Sequence, residues 1–102
     1  MSKKLRDLKP VIIFGASGHA KVVIDIIEKS NEYSILGLLD TYRSVGDSIF
    51  GYKILGDIGV LPKIVEEFPH CSIFVAVGDN WIRSLIVKKI VHVSPDINFI
   101  SI

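Results

Sequence analysis

The chain has 102 residues, a formal net charge of +1 and a 49% hydrophobic content that includes 17 isoleucines and 11 valines. That balance excludes a disordered chain, which needs low hydrophobicity and high charge, and argues against a general nucleic-acid binder, which needs a basic face. One domain is expected at this length, and so many β-branched aliphatics favour a buried, largely parallel sheet.

Residues 1–10 are polar and basic up to Lys9 and are expected to form a flexible N-terminal segment, with a single folded unit over 11–102. Lys3, Lys4 and Arg6 precede an apolar stretch, as in a signal peptide, but Gly15 and Gly18 interrupt it and no small-residue cleavage site follows. No apolar run reaches the roughly 18 residues of a membrane span, so no membrane insertion is expected; a cytoplasmic location is expected as consistent with a single cysteine.

Val11-Ile12-Ile13-Phe14, stopped by Gly15, reads as a central strand buried on both faces. From Lys21 to Lys29 the period changes, and Val22, Val23, Ile26 and Ile27 predict the apolar face of a helix. Ile35 to Leu39 is a second strand, closed by Asp40. Residues 41–57 carry three glycines and read as a loop with one short strand near Tyr52 to Leu55. Asp57 is the expected N-cap of a helix that reaches Phe68, with Leu61, Ile64, Val65 and Phe68 inward and Pro62 in its first turn. Cys71 is the single cysteine; it excludes an internal disulfide and reads as a small buried hydrophobe opening a strand. Ser72 to Val77 is the strongest strand, stopped by Gly78. Asp79 or Asn80 caps a third helix with Ile82, Leu85, Ile86 and Ile90 inward, and Phe99 to Ile102 is a last apolar run. Strands alternating with helices predict a small Rossmann-like, doubly wound parallel sheet of about five strands, α/β in class, with helices on both faces.

Three features then fall at the carboxyl ends of strands: Gly15-Ala16-Ser17-Gly18-His19, Asp40, and Gly78-Asp79-Asn80. In a doubly wound sheet these ends meet in a crevice where ligands bind. The first loop is an anion cradle: Gly15 permits a tight turn, Gly18 admits a close ligand, and the next helix points free N–H groups outward with about half a positive charge. A similar end on the third helix gives about +1 against about −2 on a diphosphate, so modest affinity is expected unless Lys21, Arg43, Arg83 or another domain assists. The dinucleotide pattern is incomplete, since Ser17 stands at its middle glycine, and neither a P-loop nor a nucleophile elbow is present. The plainer reading of the loop is a glycine turn that starts a helix. Asp40 lies 25 residues after Gly15, near the spacing of an acid that binds a ribose hydroxyl; it also reads as a solvated strand end. Asp79 reads first as a helix cap. Arg83 is phosphate-facing or simply exposed, and His70 and His92 read as surface residues. Nothing in the spacing of His19, Asp40 and Asp79 requires a metal site or a triad, and no catalytic residue is assigned.

The run Gly15-Ala16-Ser17-Gly18-His19-Ala20-Lys21-Val22-Val23 with Asp25 resembles the opening of sugar acetyltransferases of the NeuD/PglD type. Gly37-Leu38-Leu39-Asp40, Leu55-Gly56-Asp57, Val77-Gly78-Asp79-Asn80 and Arg83 extend the resemblance over nearly the whole chain. It implies a UDP-sugar-binding domain of an acetyl-CoA-dependent N- or O-acetyltransferase, of the sialic acid or bacillosamine kind, in bacterial surface-polysaccharide biosynthesis. Ser17, Gly18 and His19 would contact phosphate or sugar, Asp40 with Thr41 or Arg43 the uridine, and Gly78 and Asn80 the opposite wall. Acetyl-CoA, the catalytic histidine base and the trimer contacts would belong to a left-handed β-helix domain, whose hexapeptide repeats do not occur here; this chain alone is not expected to be catalytic. The competing readings are a nicotinamide- or CoA-binding Rossmann domain of an oxidoreductase or sensor, and a non-catalytic module. The mean hydropathy of +0.46 is high for so small a domain. Most of it fits a sheet covered by helices, and Phe99, Ile100 and Ile102 are expected to face the absent β-helix.

Overall fold

The computed structural model describes residues 7–101. The elements in chain order are β1 (Lys9–Phe14), α1 (Gly18–Ser30), β2 (Tyr33–Leu39), β3 (Ser48–Ile49), β4 (Tyr52–Gly56), a 3-10 turn (Ile58–Val60) running into α2 (Leu61–Glu67), β5 (Ser72–Val75), α3 (Asn80–Val93) and β6 (Asn98–Phe99). They form one six-stranded sheet in the order β3-β4-β2-β1-β5-β6. β1 pairs in parallel with β2 on one side and β5 on the other. The chain therefore reverses its winding beside β1, as a doubly wound sheet requires.

β1 sits at the centre because its side chains are apolar on both faces. Val11 and Ile13 point into one core with Ala20, Val23, Ile24 and Ile27 of α1. Ile12 and Phe14 point into a second core with Leu61 of α2 and Ile90 of α3. Period-two alternation thus feeds both layers from one strand. Tyr52 ties α1 to β4, its hydroxyl donating to Glu28 Oε2 at 2.7 Å.

Several expectations shift. The boundary drawn at residue 10 falls partly on residues 1–6 and Ile102 closes the last run; all of these lie outside the described residues, while Lys9 and Pro10 already belong to β1. α1 begins at Gly18 and buries Ala20, Val23, Ile24 and Ile27, leaving Val22 and Ile26 56% and 45% exposed. Two overlapping stripes of helical period exist in this segment, and the sheet takes the one containing the small Ala20. On α3 only Ile90 of the expected face is buried; Ile82 and Leu85 are exposed. Ser72–Val77 is strand only to Val75. The sixth strand, β3, pairs antiparallel with β4 through Phe50 and Gly51, whose φ values are 53° and 86°. Two successive positive φ angles are what a two-residue hairpin turn needs, but two strand residues carry too little pattern to be seen in sequence.

Cys71 is buried beside β5, its thiol donating to the Ser72 carbonyl at 3.3 Å. Burial pushes the thiol up to about 11. Only the thiolate alkylates, so iodoacetamide near pH 8 should label the native protein roughly a hundredfold more slowly than the urea-unfolded chain. Labelling followed by mass spectrometry checks this; equal rates would mean that the β5 end opens readily.

Candidate functional site

The parallel strands β1, β2, β4 and β5 end on one edge of the sheet, and the expected loops meet there. Gly15 N–H donates to the Leu39 carbonyl at 2.8 Å, and Ala76 N–H donates to the Phe14 carbonyl at 2.8 Å. The glycine loop is thereby stitched to the strands on both sides. Gly15 takes φ +112°, and a Cβ built there would stand 2.8 Å from the Ala76 carbonyl oxygen. Glycine is required here by both backbone angle and space. Ser17 is the N-cap residue of α1 and makes no side-chain hydrogen bond to the helix, so its hydroxyl is not spent on capping.

A cleft of about 370 Å³ opens at this edge. Gly15, Ala16, Ser17, Asp40, Thr41 and Gly78 of the expected residues line it. Its volume falls in the range of small-molecule sites. Asp40 Oδ1 accepts from the N–H groups of Tyr42 at 2.8 Å and Arg43 at 3.0 Å, which shapes the turn after β2. Thr41 Oγ1 donates to Asp57 Oδ1 at 3.2 Å, and the same oxygen accepts from Ile58 N–H at 2.7 Å. Asp57 therefore caps the 3-10 turn ahead of α2 rather than α2 itself.

Gly18, His19, Arg43, Asp79, Asn80 and Arg83 do not line the cleft. Asp79 Oδ1 accepts from Ile82 N–H at 2.9 Å and caps α3. Arg83 donates to Asn80 Oδ1 along the helix and faces a different hollow, with Phe74, Val87 and Phe99. The expected half-charge at the start of α3 is consequently offset by the Asp79 carboxylate, and α1 is left as the one helix end with positive character at the cleft.

Of the expected opposite wall Gly78 lines the cleft and Asn80 does not, and the rest of the lining was not read from the sequence. Tyr42, Ile82, Leu85, Ile86 and Lys89 line the cleft as well. Ile82, Leu85 and Ile86 among them belong to the stripe expected to be core. A signal existed in Lys89, a charge in a stripe otherwise apolar. A second cavity of about 470 Å³ adjoins the first, sharing Phe14, Thr41, Ile86 and Lys89, and is otherwise lined by Asp57, Ile58, Gly59, Lys88, His92 and Val93. Among the described residues, no group of three His, Cys, Asp or Glu side chains could hold a metal, and no helix is long and apolar enough to cross a membrane.

Known proteins resemble the chain as a whole. A family model described as the PglD N-terminal domain matches residues 10–90. Among solved structures, the chain is similar to the acetyltransferase domain of PglB from Neisseria gonorrhoeae FA1090 in complex with acetyl coenzyme A, at 27% identity and a TM-score of 0.65. That match covers 85% of this chain and 40% of the other, so the chain spans well under half of that relative's length. The same domain without the coenzyme in its description matches at 24% identity and a TM-score of 0.64, over 84% of this chain and 40% of that one. RSP, a Rex-family repressor, shares the fold at 13% identity and a TM-score of 0.64, over 96% of this chain and 54% of that one. No curated protein matches significantly.

Proposed function

The chain belongs to the PglD N-terminal domain family, and on that premise we propose that it is the UDP-sugar-binding domain of an acetyl-CoA-dependent sugar N- or O-acetyltransferase. The same fold also serves a repressor, so the fold alone does not assign a function and the site has to. The observation that carries the reading is one cleft at the switch point lined by the glycine loop, Asp40, Thr41 and Gly78. A nucleotide fits its chemistry. Backbone N–H groups at the start of α1 would meet phosphate. Asp40 would take a ribose or base donor on the oxygen that the turn leaves over. Ile82 and Leu85 would give an apolar wall for a base or a sugar face. His19, Arg43 and Asn80 would meet only parts of the ligand that extend beyond the cavity.

In the whole enzyme, a sugar amine or hydroxyl would attack the thioester carbonyl of acetyl-CoA and release the CoA thiol. The base that takes the proton would lie on a β-helix domain outside this chain, which would also bring the trimer contacts. The task of these 102 residues would be to hold and orient the acceptor in the cytoplasm, in the making of a surface glycan.

The single tryptophan, Trp81, is 73% exposed and precedes Ile82 of the cleft wall. Its fluorescence should therefore respond to a ligand. Titration with UDP and UDP-N-acetylglucosamine is expected to give saturable changes, with NAD and CoA inert. Binding of NAD with no response to UDP would sink the proposal in favour of a nicotinamide domain. Silence towards every nucleotide, confirmed by calorimetry, would leave a non-catalytic module.

A further inference from the structure

The cleft has little fixed positive charge of its own. α1 offers about half a positive charge and α3 offers none beyond what Asp79 offsets. Asp40 adds a carboxylate to the same walls. A ligand with two phosphates would bring about two more negative charges into this space. Some cation has to meet them, and Lys89 is the lysine or arginine that lines the cleft.

Its position in α3 is unusual. Ile82, Leu85, Ile86, Lys89 and Val93 follow the three- and four-residue spacing of one helix face. Four of the five are apolar, and Ile86 and Val93 pack against the core. Lys89 is the charged residue of that stripe, and it is exposed. It also stands on the boundary of both cavities, whereas Lys88 and His92 line only the second. A phosphate passing from one compartment to the other would pass Lys89.

We infer that Lys89 is the cation that holds the ligand's phosphates across from the glycine loop, and that it makes the site selective for a nucleoside diphosphate over a nucleoside. Lys89 is a specificity residue and takes no part in bond breaking. The inference rests on the nucleotide-sugar reading and deepens it.

Calorimetric titration of the full chain with UDP, and with uridine by competition, tests it. Lys89→Gln should weaken UDP binding roughly tenfold, as expected for a charge-assisted hydrogen bond, while changing uridine less than about twofold. Lys89→Arg should keep most of the UDP affinity. Lys63→Gln, on the exposed side of α2 against a separate hollow, should change neither. The loss in Lys89→Gln should shrink as salt is raised. An equal loss for UDP and uridine would overturn the inference, because Lys89 would then be a wall of the cavity. UDP binding unchanged in Lys89→Gln would overturn it as well, with the nucleotide reading intact. A wild-type chain that binds no uridine nucleotide would overturn the nucleotide reading itself, and this inference with it.

Discussion

Gly15→Ala is expected to cost about 2–4 kcal/mol of folding stability, from backbone strain and overpacking together. At φ +112° an alanine is strained wherever its side chain goes. Here the side chain has nowhere to go, because its Cβ would lie 2.8 Å from the Ala76 carbonyl oxygen. That oxygen belongs to backbone pinned by the Ala76 N–H bond to Phe14, so it cannot rotate aside as a side chain would. Folding free energies for chains of this size are roughly 5–15 kcal/mol, so the loss is a large fraction of the total. Gly46→Ala is the matched control. Gly46 also has a positive φ, +92°, but a Cβ there meets nothing within 4 Å. It should lose about 1 kcal/mol, the backbone term alone. Urea midpoints of the two variants separate strain from collision. Equal losses would mean that the β5 end yields, and that the loop is held less rigidly than its hydrogen bonds imply.

Gly18→Val should do the reverse, removing ligand binding and sparing the fold. Gly18 opens α1, and a Cβ on it meets nothing within 4 Å. The helix loses little by carrying valine at its first position, within about 1 kcal/mol. A branched side chain there would stand over the free N–H groups of the first turn, where the phosphate of a bound nucleotide is proposed to sit. UDP affinity should fall more than tenfold while the urea midpoint holds. Gly18 does not itself line the cavity, so this variant is a sharp test of the ligand's position. Retained affinity would place the phosphate elsewhere, towards Gly78 or into the compartment of Lys88 and His92. Together the two glycines separate what the loop does for folding from what it does for a ligand.

Much of the fold could be read from the chain because its signals are local. Val11 to Phe14 is apolar without interruption, and only a strand with neighbours on both faces buries such a run. Asn31, in the left-handed conformation at φ 56°, ends α1, a position that suits asparagine. Asp79 caps α3, as its short carboxyl suits it to do. The juxtaposition of β1 with β5 followed from the alternation of strands and helices and the right-handed crossover rule. The glycine loop, Asp40 and Gly78 were legible as residues of one edge for the same reason.

The α3 face shows where that reading stops. Hydrophobic spacing states that Ile82, Leu85 and Ile86 share a side of the helix, and it cannot state what that side meets. In the fold the central parallel strands end level with one another, Phe14 beside Leu39 on one side and Val75 on the other. The N-terminal half of α3 therefore overhangs the cleft, while Ile90 in its other half reaches the core. The same spacing serves both halves, and only the place where the strands end separates wall from core. Lys89, from the second half of the helix, lines the cleft as well, whereas Arg83 left the site because its face turns to Phe74 and Phe99.

By itself the sequence determined the order of the elements, the parallel sheet, the glycine that the first turn demands and the family to which those residues point. These are properties of short segments, set by apolar period, capping chemistry and the steric freedom of single residues. The tertiary structure decided which of two possible stripes on α1 is buried, which residues of α3 line the cleft, and which charge shares that cleft with the glycine loop. Those outcomes depend on where the sheet ends and how far each helix overhangs it, which are distances between segments far apart in the chain. No local pattern carries such distances.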